Sequence, residues 1–254
     1  MKNNLCIDIT GQKSGGGDIF ATQILKNLDY FIKDYNKIII FAKNNENEIK
    51  YKNKNIVYLS IPYIFRNKFL IFFWQNLLID YYLKKFSFKI FLSMNSIYLG
   101  SFKSYVIIHQ NSLPFSNLEI KKYSNKIFKY KLILQRYLLR KTYLNALCTI
   151  FLTQHAHNLV QKYLNKKIEY QIIPLGIQDY FNRPPEKNNK LVKKFHNKSE
   201  IKILYVSSLH LYKNHKKLFQ AVKILLDEYP NIKLILIGEK ISFLFNEIFD
   251  DIYS

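Results

Sequence analysis

Three consecutive glycines, Gly15, Gly16 and Gly17, stand between an apolar run at residues 5–9 (LCIDI) and a segment of helical periodicity at residues 18–33. Glycine there tolerates positive φ and lets a ligand approach the backbone. The N-terminus of the following helix offers unpaired N–H groups and a positive dipole end, which suits a phosphate oxygen. The run is neither a GxGxxG fingerprint nor a GxxxxGK[ST] loop, and by itself it serves equally as a surface turn. His109 closes a strand-like run, YVIIH, and leads into Gln110, Asn111 and Ser112. Open α/β sheets place ligands at such strand ends, and a satisfied structural histidine is the plainer alternative. In residues 205–215 (YVSSLHLYKNH) an apolar strand again runs into a polar loop, and a helix begins near Lys213. Ser208 could donate to a phosphate oxygen, and Lys213 with Asn214 at a helix start could neutralise one. Residues 120–143 carry eight Lys and Arg and no acid among Ile, Leu, Phe and Tyr. That pattern fits an anionic lipid surface, or an ordinary helix with a solvated basic face.

The elements that must position these residues alternate. Strands are expected at 5–9, 37–42, 56–61, 88–93, 105–109, 148–152 and 168–173. Helices are expected at 18–33, 66–85, 117–145 (one or two) and 154–164. The strands are continuously apolar, as in a parallel sheet covered on both faces. The reading is therefore α/β: a doubly wound, Rossmann-like N-terminal domain over residues 1–180. A polar stretch with Pro184 and Pro185 follows, assigned as a linker at 181–200. The pattern restarts with a strand at 201–207, a helix at 213–228, a strand at 232–238 and the start of a helix at 241–253. Residues 201–254 are thus expected to form an incomplete second Rossmann-like domain, because so few strands cannot cover both faces of a sheet.

Composition narrows the classes. A chain of 254 residues that is 48% hydrophobic can bury a sizeable core. Its formal charge is +21. That charge admits a polyanion partner, so a non-catalytic binder of nucleic acid or another polyanion is the alternative reading. The Lys residues are spread along the chain without a recognition module, so no specific nucleic acid is expected. Cys6 and Cys148 lie far apart and read as free thiols of a reducing compartment. No secretory leader is evident at the N-terminus, and the longest apolar run, 69–79, is broken by Gln75 and Asn76. The expectation is a cytoplasmic protein, with peripheral contact to the inner face of a membrane through 120–143. HExxH, GxSxG, paired CxxC and RNA-binding signatures are absent.

Two segments together resemble the GT-B fold glycosyltransferases of family 4 (group 1). Residues 205–221 (YVSSLHLYKNHKKLFQA), followed by 232–238, resemble the opening of that family's second domain. Residues 151–177, ending in IPLGI, resemble the stretch that closes its first. The resemblance implies a retaining, metal-independent transfer from a nucleotide-sugar donor to a glycan or lipid-linked acceptor, with no cofactor. Lys213 would hold the donor diphosphate, Gly16 and Gly17 would approach the phosphates or the sugar, and His109 would lie near the reacting centre. Two departures stand out: Ser208 occupies a position where the family commonly has Arg, and the family's Glu-x7-Glu segment would lie past residue 254. Impaired turnover by a truncated chain is the corresponding expectation.

Overall fold

The computed structural model describes residues 3–11, 16–43, 53–67, 70–176 and 200–239. Two compact units are present. The first comprises Met1–Ser116 and Tyr130–Gly176, the second Asn117–Lys129 and Ile177–Ser254.

The first unit is built on a seven-stranded sheet whose strands all pair in parallel. They are β1 (Asn3–Asp8), β2 (Tyr35–Ala42), β3 (Ile56–Ser60), β4 (Phe88–Ser93), β5 (Tyr105–His109), β6 (Cys148–Phe151) and β7 (Tyr170–Ile172). Their spatial order is β3-β2-β1-β4-β5-β6-β7. The order reverses at β1, so β1 and β4 flank the topological switch point.

The apolar strands divide their side chains between two cores. Leu5 and Ile7 of β1 and Ile38 and Ile40 of β2 pack with Ala21, Leu25 and Leu28 on one face. Cys6, Ile39 and Phe41 point the other way, onto Trp74, Leu83, Phe91, Tyr143 and Phe151. This period-two division is why an unbroken run such as IIIFA is buried throughout. α1 (Gly16–Lys26) and the short α2 (Asp29–Ile32) belong to the first face. Residues 27 and 28 form a turn between them, so the expected single helix at 18–33 is two.

The expected helix at 66–85 is also subdivided. A 3-10 turn (Tyr63–Arg66) precedes α3 (Leu70–Phe73), a π turn (Trp74–Leu78) and α4 (Ile79–Lys85). Asn76 bridges this element to the β4–β5 connection: its Nδ2 donates to the Phe72 carbonyl, and its Oδ1 accepts from the Leu99 amide. α5 (Asn117–Lys121) and α6 (Lys126–Asn145) form the pair expected at 117–145, and α7 (Gln154–Gln161) follows β6. Thr153 caps α7 by accepting from the Ala156 amide.

The second unit pairs β8 (Ile201–Val206) with β9 (Ile232–Ile237) in parallel, joined through α8 (His215–Glu228). Ile201, Val222 and Ile232 form its small core. Leu204, Val206 and Ile237 are exposed on the strands, as expected of a sheet with one face covered. The first domain was expected to run unbroken to 180, but residues 117–129 group with the second unit. Within that unit Lys122 Nζ donates to Asn214 Oδ1 at 3.2 Å. The expected linker at 181–200, Glu200 apart, and the helix at 241–253 lie outside the described residues. The thiols are free, Cys6 buried and Cys148 partly so. No helix among the described residues is long and apolar enough to cross a membrane.

Candidate functional site

In the second unit, the β8–α8 connection brings Ser208, Lys213 and Asn214 onto one loop, as their spacing predicts. The loop is built tightly. A Cβ on Gly238 would lie 1.9 Å from the Ser207 carbonyl oxygen and 3.0 Å from the Ser208 nitrogen, so the residue after β9 must be glycine. The Ser208 carbonyl accepts from the His210 amide at 2.9 Å. Tyr205 Oη donates to the Lys213 carbonyl at 2.8 Å, fixing the single 3-10 turn (Leu211–Lys213). Asn214 then takes φ 55°, ψ 37°, a left-handed conformation that Asn tolerates better than most residues, and the chain turns into α8. Its side chain does not cap α8. Lys213 Nζ lies over the Tyr212 ring at 5.3 Å, and Lys122 Nζ reaches Asn214 from α5's C-terminal side. Lys122 is also ion-paired with Glu119, Nζ to Oε1 at 2.8 Å, so its charge is largely balanced and Lys213 is the cation that the turn itself contributes at the start of α8. His215, the first residue of α8, is buried edge-on to Tyr205. Burial first, and the Lys213 charge after it, lower the proton affinity of His210; burial does the same for His215.

The predicted residues of the first unit fall differently. Gly15 lies outside the described residues. Gly16 and Gly17 form the first turn of α1 rather than a loop, and a Cβ at Gly16 would meet open space. His109 is at the end of β5 as expected, yet it is only 2% exposed. Its Nδ1 pairs with Tyr143 Oη at 2.7 Å and its Nε2 with Ser112 Oγ at 2.9 Å. Phe115, Tyr143 and Phe151 surround the ring, and burial lowers its pKa to about 4. His109 is therefore neutral at pH 7 with both nitrogens engaged, and it braces the 109–112 loop.

A crevice of about 290 Å³ opens instead at the switch point. It is lined after β1 by Gly11, after β4 by Met94, Asn95, Ser96 and Ile97, and after β5 by Gln110; Gln75 of the π turn and Gln135 of α6 complete it with Ile71 and Phe72. A π turn is a common way to aim a side chain at a functional site. Beneath the crevice lies a buried network. Asp8 Oδ1 accepts from the Thr10 amide at 2.9 Å and from Thr10 Oγ1 at 2.6 Å, while Oδ2 accepts from Asn95 Nδ2. Gln75 Nε2 donates to Thr10 Oγ1 at 3.0 Å. A Cβ on Gly11 would lie 2.0 Å from Asn95 Oδ1, so this glycine makes room for the amide. Burial raises the Asp8 pKa to about 6, against the opposing pull of the hydrogen bonds from Thr10 and Asn95. Sequence reasoning passed over these residues. The available signals were a carboxylate inside the apolar run LCIDIT and two amides interrupting the run at 69–79.

Residues 186–247 match the family described as Glycosyl transferases group 1. Among solved structures, WaaG, described as a glycosyltransferase involved in lipopolysaccharide biosynthesis, matches 98% of this chain and 67% of its own, at 12% identity and a TM-score of 0.58. A structure described as trehalose-6-phosphate from E. coli bound with UDP-2-fluoro glucose matches 98% of this chain and 68% of its own, at 14% identity and a TM-score of 0.52. S. aureus MnaA in complex with UDP matches 98% and 65%, at 12% identity and a TM-score of 0.51. At such identities the likeness concerns the fold, which is that of the GT-B proteins, and the chain spans about two thirds of their length. No curated protein sequence matches.

Proposed function

We propose, for a chain of GT-B fold whose residues 186–247 match the family Glycosyl transferases group 1, that it moves a sugar from a nucleoside-diphosphate donor to an acceptor hydroxyl with retention of configuration. The observation that carries this reading is the β8–α8 turn. Gly238 admits the Ser207–Ser208 backbone, Asn214 turns the chain, and Lys213 brings positive charge to the start of α8. A pyrophosphate is the ligand class this arrangement suits, because backbone N–H groups and fixed cations stabilise it without reorganisation.

In the proposed reaction the bond between the anomeric carbon and the diphosphate oxygen breaks while the acceptor oxygen bonds to that carbon on the same face. The acceptor proton passes to the departing phosphate oxygen. His109 is not its destination, since both ring nitrogens are engaged and burial disfavours the imidazolium. Lys213 and the end of α8 hold the negative charge that accumulates on the diphosphate, and no metal enters the scheme. Gly16 and Gly17 contribute the N-terminal turn of α1 in the first unit.

The acceptor is proposed to be a glycan or a lipid-linked sugar. α6 supports this, because Ile127, Tyr130, Leu134 and Tyr137 follow a helical stripe and are all more than half exposed. Lys126, Lys131 and Lys141 are exposed beside them, a composition suited to an anionic lipid surface.

The test is UDP binding by calorimetry. A charge-assisted contact contributes about 1.5–3 kcal/mol, so Lys213→Ala should weaken binding roughly tenfold or more and flatten its salt dependence, with Lys213→Arg retaining part. Unchanged affinity in Lys213→Ala would remove the basis of the reading.

A further inference from the structure

The β8–α8 turn carries two histidines that the donor reading leaves unused. His210 immediately precedes the 3-10 turn, and His215 is the first residue of α8. The backbone of His210 is clamped from both sides. Its amide donates to the Ser208 carbonyl and its carbonyl accepts from the Lys213 amide, each at 2.9 Å. The strand ends hold this loop in place, since the Leu209 amide donates to the Glu239 carbonyl at 3.1 Å. The His210 ring stacks on the Tyr212 ring, with centroids 5.1 Å and planes 28° apart. The same Tyr212 ring carries the Lys213 ammonium at 5.3 Å. One aromatic plate thus positions both an imidazole and a permanent cation at the start of α8.

The groups around the ring set its charge. Burial and then the Lys213 ammonium lower the proton affinity of His210; Glu239, beyond β9, opposes them, and His215 adds to them. Tyr212 contributes a neutral face. Lys122 reaches Asn214 but is balanced by Glu119. His215 is the poorer proton acceptor of the two, because it is 2% exposed and packed edge-on to Tyr205, so a charge there would be buried. His210 is only partly covered. An anion drawn to Lys213 inverts the balance at His210. It offsets the ammonium that opposes the imidazolium, and it attracts the proton directly. This coupling is Coulombic and requires no hydrogen bond to the ring. Reciprocity then makes the proton strengthen the binding of the anion by the same factor.

We infer that His210 is a further binding residue of the donor turn, one that takes up a proton as a diphosphate docks at Lys213. The inference rests on the donor site proposed above. It supplies a second positive charge only when an anion is present. The empty turn therefore avoids two like charges beside a helix N-terminus, where the dipole already disfavours cations.

The experiment uses the full chain with UDP-glucose and GDP-mannose. Their diphosphates are esterified at both ends and lack the terminal ionisation near a pKa of about 6 that a phosphate monoester shows. Calorimetry should find binding about three- to tenfold tighter at about pH 5.5 than at about pH 8. Buffers of different ionisation enthalpy should reveal net proton uptake on binding, and the His210 imidazole resonances should titrate at higher pH with ligand than without. His210→Gln should flatten the affinity profile and abolish the uptake. Should that variant not fold, the resonance shift and the proton uptake of the parent chain decide the matter. Affinity independent of pH, a His210 titration that the ligand leaves in place, proton uptake retained by folded His210→Gln, or an equal shift with sodium sulfate at the same ionic strength would each overturn the inference. Absence of binding by either nucleotide sugar at every pH sinks the donor reading and this inference with it. Binding that weakens in Lys213→Ala yet is flat with pH keeps the donor reading and sinks the inference alone.

Discussion

Replacing Asp8 by Asn tests the buried network beneath the crevice. Asp8 is 1% exposed and burial lifts its pKa from an ordinary 3.8 to about 6, the hydrogen bonds from Thr10 and Asn95 offsetting only part of the cost. The sign follows from linkage. Below about pH 4 the carboxyl is protonated whether the chain is folded or unfolded. As the pH rises through about 6, the unfolded chain has already ionised and the folded chain ionises against burial, so stability is lost. A rise of that size corresponds to about 3 kcal/mol at ~1.36 kcal/mol per pKa unit, absent in acid and present in full by about pH 7. Cys6, the neighbouring titratable group, stays a neutral thiol because burial, and then Asp8, push its pKa well up. Asp8→Asn removes this pH dependence. The stability difference between variant and parent should therefore move toward the variant by about 3 kcal/mol between about pH 4 and pH 7. Guanidinium titrations followed through Trp74, the single tryptophan and a buried residue of the first unit, would read it. The substitution also places Nδ2 against Asn95 Nδ2, so the Asn95 amide should turn over and its side-chain resonances should shift. A difference that stays flat with pH, or that moves toward the parent as pH rises, would show that the hydrogen bonds outweigh burial and refute the reasoning.

Gly238→Ala places a Cβ 1.9 Å from the Ser207 carbonyl oxygen, and backbone atoms have little freedom to withdraw. It should cost roughly 1–3 kcal/mol and speed amide exchange in β8 and β9, while unchanged exchange there would contradict the close approach. For α6, binding to phosphatidylglycerol vesicles should fall about tenfold or more in Lys126→Gln with Lys131→Gln, at about 1 kcal/mol for each basic side chain near the surface. Binding that is equal on phosphatidylcholine vesicles, or unaffected by the double substitution, would remove the proposed membrane contact.

The alternation of apolar runs with helical periodicity was enough to determine a parallel sheet, because burial on both faces leaves a strand no room for polar alternation. IIIFA at 38–42 reads as a covered strand and is one. The restart at residue 201 and the placement of Ser208, Lys213 and Asn214 on one strand-to-helix turn were legible for the same reason: those residues are neighbours in the chain, and local geometry brings them together. His109 was placed correctly at a strand end, but the partners on its two nitrogens, Tyr143 and Ser112, were not foreseeable. One of them arrives from the far end of α6. In the first unit Gly11 yields to the Asn95 side chain and Gly100 to Asp80 and Tyr98, whereas a Cβ at Gly16 of the conspicuous run would meet open space. Only the tertiary structure decided the crevice. Its lining runs from residue 11 to residue 135, gathered because the strand order sets β1 beside β4. Which way the Asn95 and Gln75 amides turn depends on Asp8 and Thr10, and such hydrogen-bond commitments leave no periodic trace in a sequence.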